Sequence, residues 1–228
     1  MMKQNHWILL FIIVLAGYIT GMQLQSEGLQ LIFKPLIVTV LIGYFNSRVT
    51  VIGKGLAKWI LVALLFSLAG DVLLLFVNKN ELFFLLGLSS FLLAHIFYIH
   101  FFDQVKRKEV VKSKIWPLAV VAVYYAGLIY LLAPHLKDMK APVLVYGIVI
   151  SLMFMLAMHM LFIKNKAAGK WMMTGALLFV ISDSTLAIDK FYQPFEAAGI
   201  IIMLTYGAAQ FFIVKGAADY ISLNSDRG

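Results

Sequence analysis

Three charged side chains stand inside apolar runs of this chain: Lys34, Asp71 and Asp183. A charge at the centre of a bilayer costs about 2.5–3.5 kcal/mol on insertion scales. Such groups therefore pair with one another or line a wet cavity. One lysine cannot neutralise two carboxylates, so a lone structural ion pair does not account for all three. Asp71 and Asp183 are the candidates for chemistry, and Lys34 is their nearest candidate partner by depth. Tyr146, His95, Tyr98, Tyr206 and Gln210 add polar groups within other apolar runs, and Ser182 stands beside Asp183. Each has a plainer reading. Lys34 can snorkel outward along its stem. His95 can be a satisfied interior histidine. The tyrosines can be packing aromatics with a hydrogen-bonded tip.

Other chemistries lack their residues. The chain has no cysteine, which removes disulfides, thiolate nucleophiles and thiolate metal sites. A zinc hydrolase needs three or four converging ligands. His95 and His100 are five apart, about 140° around a helix, so they face different ways. His6 and His135 lie near run ends on opposite sides, and there is no HExxH. No metal and no cofactor is expected. Ser67, Ser89, Ser90, Ser151 and Ser182 lack a nucleophile-elbow context, and Ser67 is expected to bond its own helix.

What positions these residues is set by composition. The chain has 228 residues, 62% hydrophobic and 13% charged. A soluble domain runs about 45–50% apolar and about 25% charged. So many apolar residues cannot be covered by so little polar surface, which excludes an ordinary soluble globule. Eight apolar runs have the roughly 17–25 residues needed to cross a bilayer. They cover about 7–22, 29–46, 57–77, 81–102, 115–133, 142–163, 170–188 and 195–218. Short connections such as Gln25-Ser26-Glu27-Gly28 and Asn78-Lys79-Asn80 join them. The first run lacks a small-x-small cleavage site and is read as a retained span. The predicted fold is all-α: a polytopic membrane protein of eight transmembrane helices, forming one transmembrane helical domain over 1–228.

Charge orients the spans. With the N-terminus inside, the inner segments hold fourteen of the nineteen Lys and Arg. These are Lys3, Arg48, Lys54, Lys58, Lys106, Arg107, Lys108, Lys112, Lys114, Lys164, Lys166, Lys170, Lys215 and Arg227. Outer loops hold Lys79, Lys137, Lys140 and Lys190. That bias predicts both termini in the cytoplasm. Trp7, Trp59, Trp116 and Trp171 open the odd-numbered spans, where an indole sits at headgroup level with a wet N–H. The net charge of +8 is thus spread over five inner segments as a topology signal with lipid contact. No nucleic-acid recognition motif accompanies it.

Depth follows from a rise of about 1.5 Å per residue. Asp71 and Asp183 then lie roughly 9 Å and 8 Å below the outer ends of their spans. Lys34 and Tyr146 share that outer-half level. His95, Tyr206 and Gln210 lie at or below mid-membrane. A faint repeat accompanies this. Leu64-Leu65-Phe66 precedes Asp71, and Leu177-Leu178-Phe179 precedes Asp183. Lys34 to Asp71 and Tyr146 to Asp183 are both 37 residues. The pattern suggests a 4+4 parallel repeat.

An ordered set of short motifs resembles the YhhN-like lysoplasmalogenase family. These are Phe33-Lys34-Pro35, Ala69-Gly70-Asp71 and Gly87-x3-Phe91-x2-Ala94-His95-x2-Tyr98. Gly175 to Asp183 (GALLFVISD) and Tyr206-x3-Gln210 complete the set. The resemblance covers spans 2 to 8. It implies an integral membrane hydrolase, in the cell membrane, that cleaves the vinyl-ether bond of lysoplasmalogens. The products would be a fatty aldehyde and glycerophospho-ethanolamine or -choline. Enol-ether hydrolysis needs no metal and no covalent nucleophile. One carboxylic acid protonates carbon, and a second, ionised carboxylate stabilises the oxocarbenium ion and orients water. The logic parallels glycoside hydrolysis. The resemblance thus implies Asp71 and Asp183 as the catalytic pair. Lys34 would keep one of them ionised and could bind the lipid phosphate. His95, Tyr98, Tyr146, Ser182, Tyr206 and Gln210 would hold substrate or support the carboxyls. The lipid partner is a lysophospholipid or lysoplasmalogen in a bilayer. The rival reading is a small lipid or solute transporter whose intramembrane Lys and Asp line a path.

Overall fold

The computed structural model describes residues 4–49 and 55–225. Lys3, Lys54 and Arg227, counted above among the inner charges, lie outside them. Among the described residues eight α-helices follow one another: α1 (Gln4–Gln23), α2 (Glu27–Arg48), α3 (Ala57–Leu74), α4 (Leu82–Lys108), α5 (Trp116–Leu132), α6 (Lys140–His159), α7 (Lys166–Ala187) and α8 (Ala198–Ser225). No strand occurs among the described residues. Each helix, taken with its short 3₁₀ or π extension where it has one, is long and apolar enough to cross a bilayer. The all-α, eight-span expectation therefore holds.

Local chemistry sets the ends. Ser26 caps α2, its Oγ accepting the Leu29 N–H at 3.4 Å. Asn165 caps α7, its Oδ1 accepting the Ala168 N–H at 3.1 Å. α5 begins with Pro117 in its first turn, where a missing N–H is harmless. Pro35 lies inside α2, yet the helix continues. Thr39 Oγ1 donates to the Pro35 carbonyl at 2.8 Å across the same turn.

The contacts separate into two compact units. One draws on the chain up to Phe97 together with residues from Ala217 on, and the other is Tyr98–Gly216. α4 and α8 contribute residues to both. In the first unit α1 packs on α2 and α2 on α3. Arg48 ties three helices at one end, donating to Gln4 Oε1 at 3.0 Å and pairing with Asp219 at 2.9 Å. Gly70 makes room for the Phe91 ring, which a Cβ there would meet at 2.7 Å. Ser90 Oγ donates to the Phe66 carbonyl at 2.7 Å, fastening α4 to α3.

In the second unit α5 packs on α6 and α6 on α7. α7 and α8 approach backbone to backbone. A Cβ on Gly175 would fall 2.7 Å from both the Ala209 carbonyl oxygen and the Ile213 nitrogen. Without a hydrophobic drive between helices in lipid, such small-residue contacts supply the packing.

Several expectations need correction. α4 runs on to Lys108, beyond the apolar run ending at 102, because Asp103–Lys108 extends the helix as a polar tail. Arg107 pairs with Asp103 at 2.6 Å on that tail, and three cations sit in the last turn. α7 starts earlier than its apolar run, at Lys166, because Asn165 caps it. Trp7 does open α1, but its Nε1 is buried with no hydrogen-bond partner rather than wet. The indole fills the notch left by Gly43. Ser67 Oγ is likewise buried without a hydrogen bond, so it does not bond its own helix. His159 is 3% exposed. Its Nε2 accepts the Lys114 N–H at 3.1 Å, so Nδ1 carries the proton and donates to the Met155 carbonyl at 2.8 Å.

Candidate active site

The two carboxylates stand in different surroundings, one in each unit. Asp71 lies on α3 and is 2% exposed. Lys34, from α2, is 8% exposed and within electrostatic reach of Asp71. Its Nζ sits over the Tyr18 ring of α1, 5.7 Å from the centroid. Lys34 is therefore buried against protein and does not snorkel along its stem to the surface. Tyr18 too feels the charge of Asp71. Three consecutive helices thus bring a phenol ring, an amine and a carboxyl together.

Asp183 lies on α7 and is partly exposed. Tyr146 of α6 donates its hydroxyl to Asp183 Oδ2 at 2.5 Å, the short end of the range for a hydroxyl on a carboxylate. Tyr124 of α5 lies near enough to Asp183 to interact electrostatically. The Ser184 hydroxyl donates to the Val180 carbonyl at 2.6 Å, so Tyr124 donates to Ser184 Oγ at 2.8 Å. The second unit again uses three consecutive helices around one carboxyl, here with phenols in place of the amine.

A third polar group joins α4 to α8. Tyr98 donates to Gln210 Oε1 at 2.6 Å, and Gln210 Nε2 donates to Tyr206 Oη at 3.4 Å. These bonds fix the Gln210 amide with its oxygen toward α4. Tyr206 and Gln210 are one turn apart on α8, so both face the same way. Tyr98 and Gln210 are fully buried and Tyr206 is 4% exposed. Phe179 packs edge-on to Tyr206, at 5.6 Å between ring centroids. Ser182, 1% exposed, donates to the Ile202 carbonyl at 3.1 Å and ties α7 to α8. His95 is fully buried on α4, one turn before Tyr98.

The structure thus joins Lys34 with Asp71, Tyr146 with Asp183, and Tyr98 with Gln210 and Tyr206. Tyr18, Tyr124 and Ser184 were not singled out from sequence. Their only signal is a hydroxyl within an apolar span, which an ordinary packing aromatic or a back-bonded serine also gives. Among the described residues no three His, Asp or Glu side chains gather where they could hold a metal ion.

Eight bilayer-length apolar helices with carboxyl clusters inside them define an all-helical, multi-pass membrane protein. Residues 29–217 match the YhhN family, and the chain belongs to it. It is 32% identical over 162 residues to the lysoplasmalogenase of Mycobacterium bovis, covering 70% of this chain and 60% of that protein. It is 34% identical over 158 residues to the human lysoplasmalogenase TMEM86B, covering 68% of this chain and 61% of that protein. It is 34% identical over 169 residues to the bovine lysoplasmalogenase TMEM86A, covering 72% and 66%. The match spans about 60% of the length of the first two relatives. No solved structure matches the chain.

Proposed function

We propose that this protein is a membrane-embedded lysoplasmalogenase, cleaving the vinyl ether of a lysoplasmalogen to a fatty aldehyde and a glycerophospho-ethanolamine or -choline. The observation that carries the reading is the hydrogen bond from Tyr146 to Asp183 within the spans. It holds the Asp183 carboxyl by Oδ2 inside the spans, where the reading needs a proton donor. The lysoplasmalogenase names of the relatives supply the substrate class. We assign the protein to the cell membrane, with its basic side toward the cytoplasm.

In this reading Asp183 is the general acid. Its proton adds to the enol-ether β-carbon, the carbon–carbon π bond breaks, and an oxocarbenium ion forms. Water adds to the α-carbon and returns a proton to the Asp183 carboxylate. The hemiacetal then loses the glycerol oxygen, giving aldehyde and alcohol. Asp71, in the field of Lys34, is the second carboxylate that the reading requires. Gln210, held by Tyr98 and Tyr206, offers polar atoms to water or the glycerol hydroxyl. Ser182 steadies α7 beside Asp183, and His95 supports the Tyr98 level of α4.

The test is aldehyde release from lysoplasmenylethanolamine by purified protein in detergent micelles, read by mass spectrometry. A hydrolase turns over there, whereas a transporter has no second compartment to fill. Folded Asp71→Asn and Asp183→Asn variants that each kept full activity would sink the mechanism.

A further inference from the structure

The first unit contains a cavity of about 420 Å³ that none of the carboxyl chemistry uses. That volume is in the range of small-molecule sites, roughly 300–1,000 Å³. Its walls are the α1–α2 turn, the first turns of α2 and the segment after α3. Met22, Leu31, Leu75 and Phe76 give it an apolar floor. Its polar lining carries both signs of charge, Glu27 and Lys79, together with the amides of Gln25, Gln30 and Asn78. Lys79 Nζ is held 5.0 Å from the Phe76 ring centroid, which keeps its charge over that floor.

Two features relate this cavity to the carboxyl cluster of its own unit. Gln30 precedes Lys34 by four residues on α2, and Leu75 follows Asp71 by four along α3 and its cap. Each pair shares a helix face one turn apart, about 6 Å along the axis. The cavity therefore opens one turn beyond Lys34 and Asp71. Gln25, on its rim, has φ of 52°, in the left-handed region. The bonds from Ser26 N to Gly21 O at 2.9 Å and from Gln25 N to Met22 O at 3.1 Å make this a Schellman stop for α1. Glycine is the usual residue at such a stop, and a side chain there costs about 1 kcal/mol. Here the position carries an amide that lines the cavity.

We infer that this cavity binds a zwitterionic phosphate headgroup, with Lys79 on the phosphate, Glu27 on the ammonium and the amides on the phosphate and glycerol oxygens. The inference rests on the lysoplasmalogen reading and places the headgroup one turn from Lys34 and Asp71. It assigns headgroup preference to the α1–α2 and α3–α4 connections.

Binding is tested apart from catalysis with a saturated 1-alkyl lysophosphatidylethanolamine, which has no enol ether, and with 1-alkylglycerol, which has no headgroup. Both are titrated in micelles against wild type, Lys79→Ala and Glu27→Gln. Lysolipid affinity should fall roughly ten- to hundredfold in each variant, the worth of one hydrogen bond to a charged group, with 1-alkylglycerol affinity unchanged. Equal lysolipid affinity in all three proteins overturns the proposal. So does an equal loss for 1-alkylglycerol. Inorganic phosphate displacing the lysolipid as well as glycerophosphoethanolamine does would overturn the zwitterion. A wild type that releases no aldehyde yet shows this binding pattern sinks the hydrolase reading and keeps the headgroup site.

Discussion

Asp71 and Asp183 are built the same way and finished differently. Each sits on the third of three consecutive helices, and each has its partner 37 residues earlier on the second. Each has a tyrosine from the first helix within electrostatic reach, Tyr18 for one and Tyr124 for the other. The partner is an amine for Asp71 and a phenol for Asp183. An amine and a carboxyl form a pair that is neutral overall whether the proton sits on nitrogen or on oxygen. A phenol donates one hydrogen bond and adds no charge, so Asp183 alone decides the charge of its cluster. Asp71 is also almost fully buried, whereas Asp183 is partly exposed. One arrangement of three helices thus yields two carboxyls with different partners. The recurrence supports the 4+4 parallel repeat as a proposal.

The sharpest way to break this comparison is to neutralise each carboxyl. Asp183→Asn removes the proposed proton donor and keeps an oxygen for Tyr146 to bond. Aldehyde release should fall about 10²–10⁴-fold, the range for a general acid, with the thermal unfolding midpoint in detergent close to wild type. Asp71→Asn should also lose activity, and its midpoint should drop because Lys34 is left buried without its carboxyl. Equal midpoints would show that the two clusters do not differ as described.

Lys34→Met tests the amine from the other side. Breaking a buried charge pair by removing one partner costs about 3–5 kcal/mol. Denaturation in detergent should show a loss of that order, and adding Asp71→Asn should recover part of it. Two losses that simply added would mean the groups do not interact. The matching change in the second unit is Tyr146→Phe. It deletes one hydrogen bond to a carboxyl, worth about 1.5–3 kcal/mol. Here kcat should fall roughly tenfold or more, with a stability loss no larger than that one bond. A fall in the midpoint with kcat retained would make Tyr146 a packing residue.

How far these clusters can be read from sequence depends on which property carries the information. Hydropathy over a bilayer length is long-range and redundant, so all eight helices and most of their ends are legible. The end of α4 is not, because Asp103–Lys108 stays helical after its apolar character ends. The π-helical turn Ile188–Tyr192 after α7 is not legible either, because the apolar run ends at its first residue and Lys190 reads as loop. Lys34, Asp71 and Asp183 stand out because charge in a span is costly. Tyr18 and Tyr124 do not, since a tyrosine in an apolar run gives the same letters whether its ring packs or its hydroxyl serves a carboxyl. The headgroup cavity is hidden as well. Gln25, Glu27 and Lys79 read as loop residues until the helices bring two connections together.

The smallest effect belongs to Tyr18, and it bears on how the amine is held. Its ring faces Lys34 Nζ at 5.7 Å, and its hydroxyl lies in the field of Asp71. Tyr18→Phe keeps the ring and should change stability by only a few tenths of a kcal/mol. Tyr18→Leu removes the π face and should cost about 0.5–2 kcal/mol for the cation–π contact, besides any change in packing. If the ring acts through Lys34, that extra cost vanishes once Lys34 is already Met. A double-mutant cycle of Tyr18→Leu with Lys34→Met, read by denaturation in detergent, isolates it. A coupling near zero would reduce Tyr18 to packing. The first cluster would then rest on Lys34 and Asp71 alone, while Tyr124 in the second keeps its hydrogen bond to Ser184.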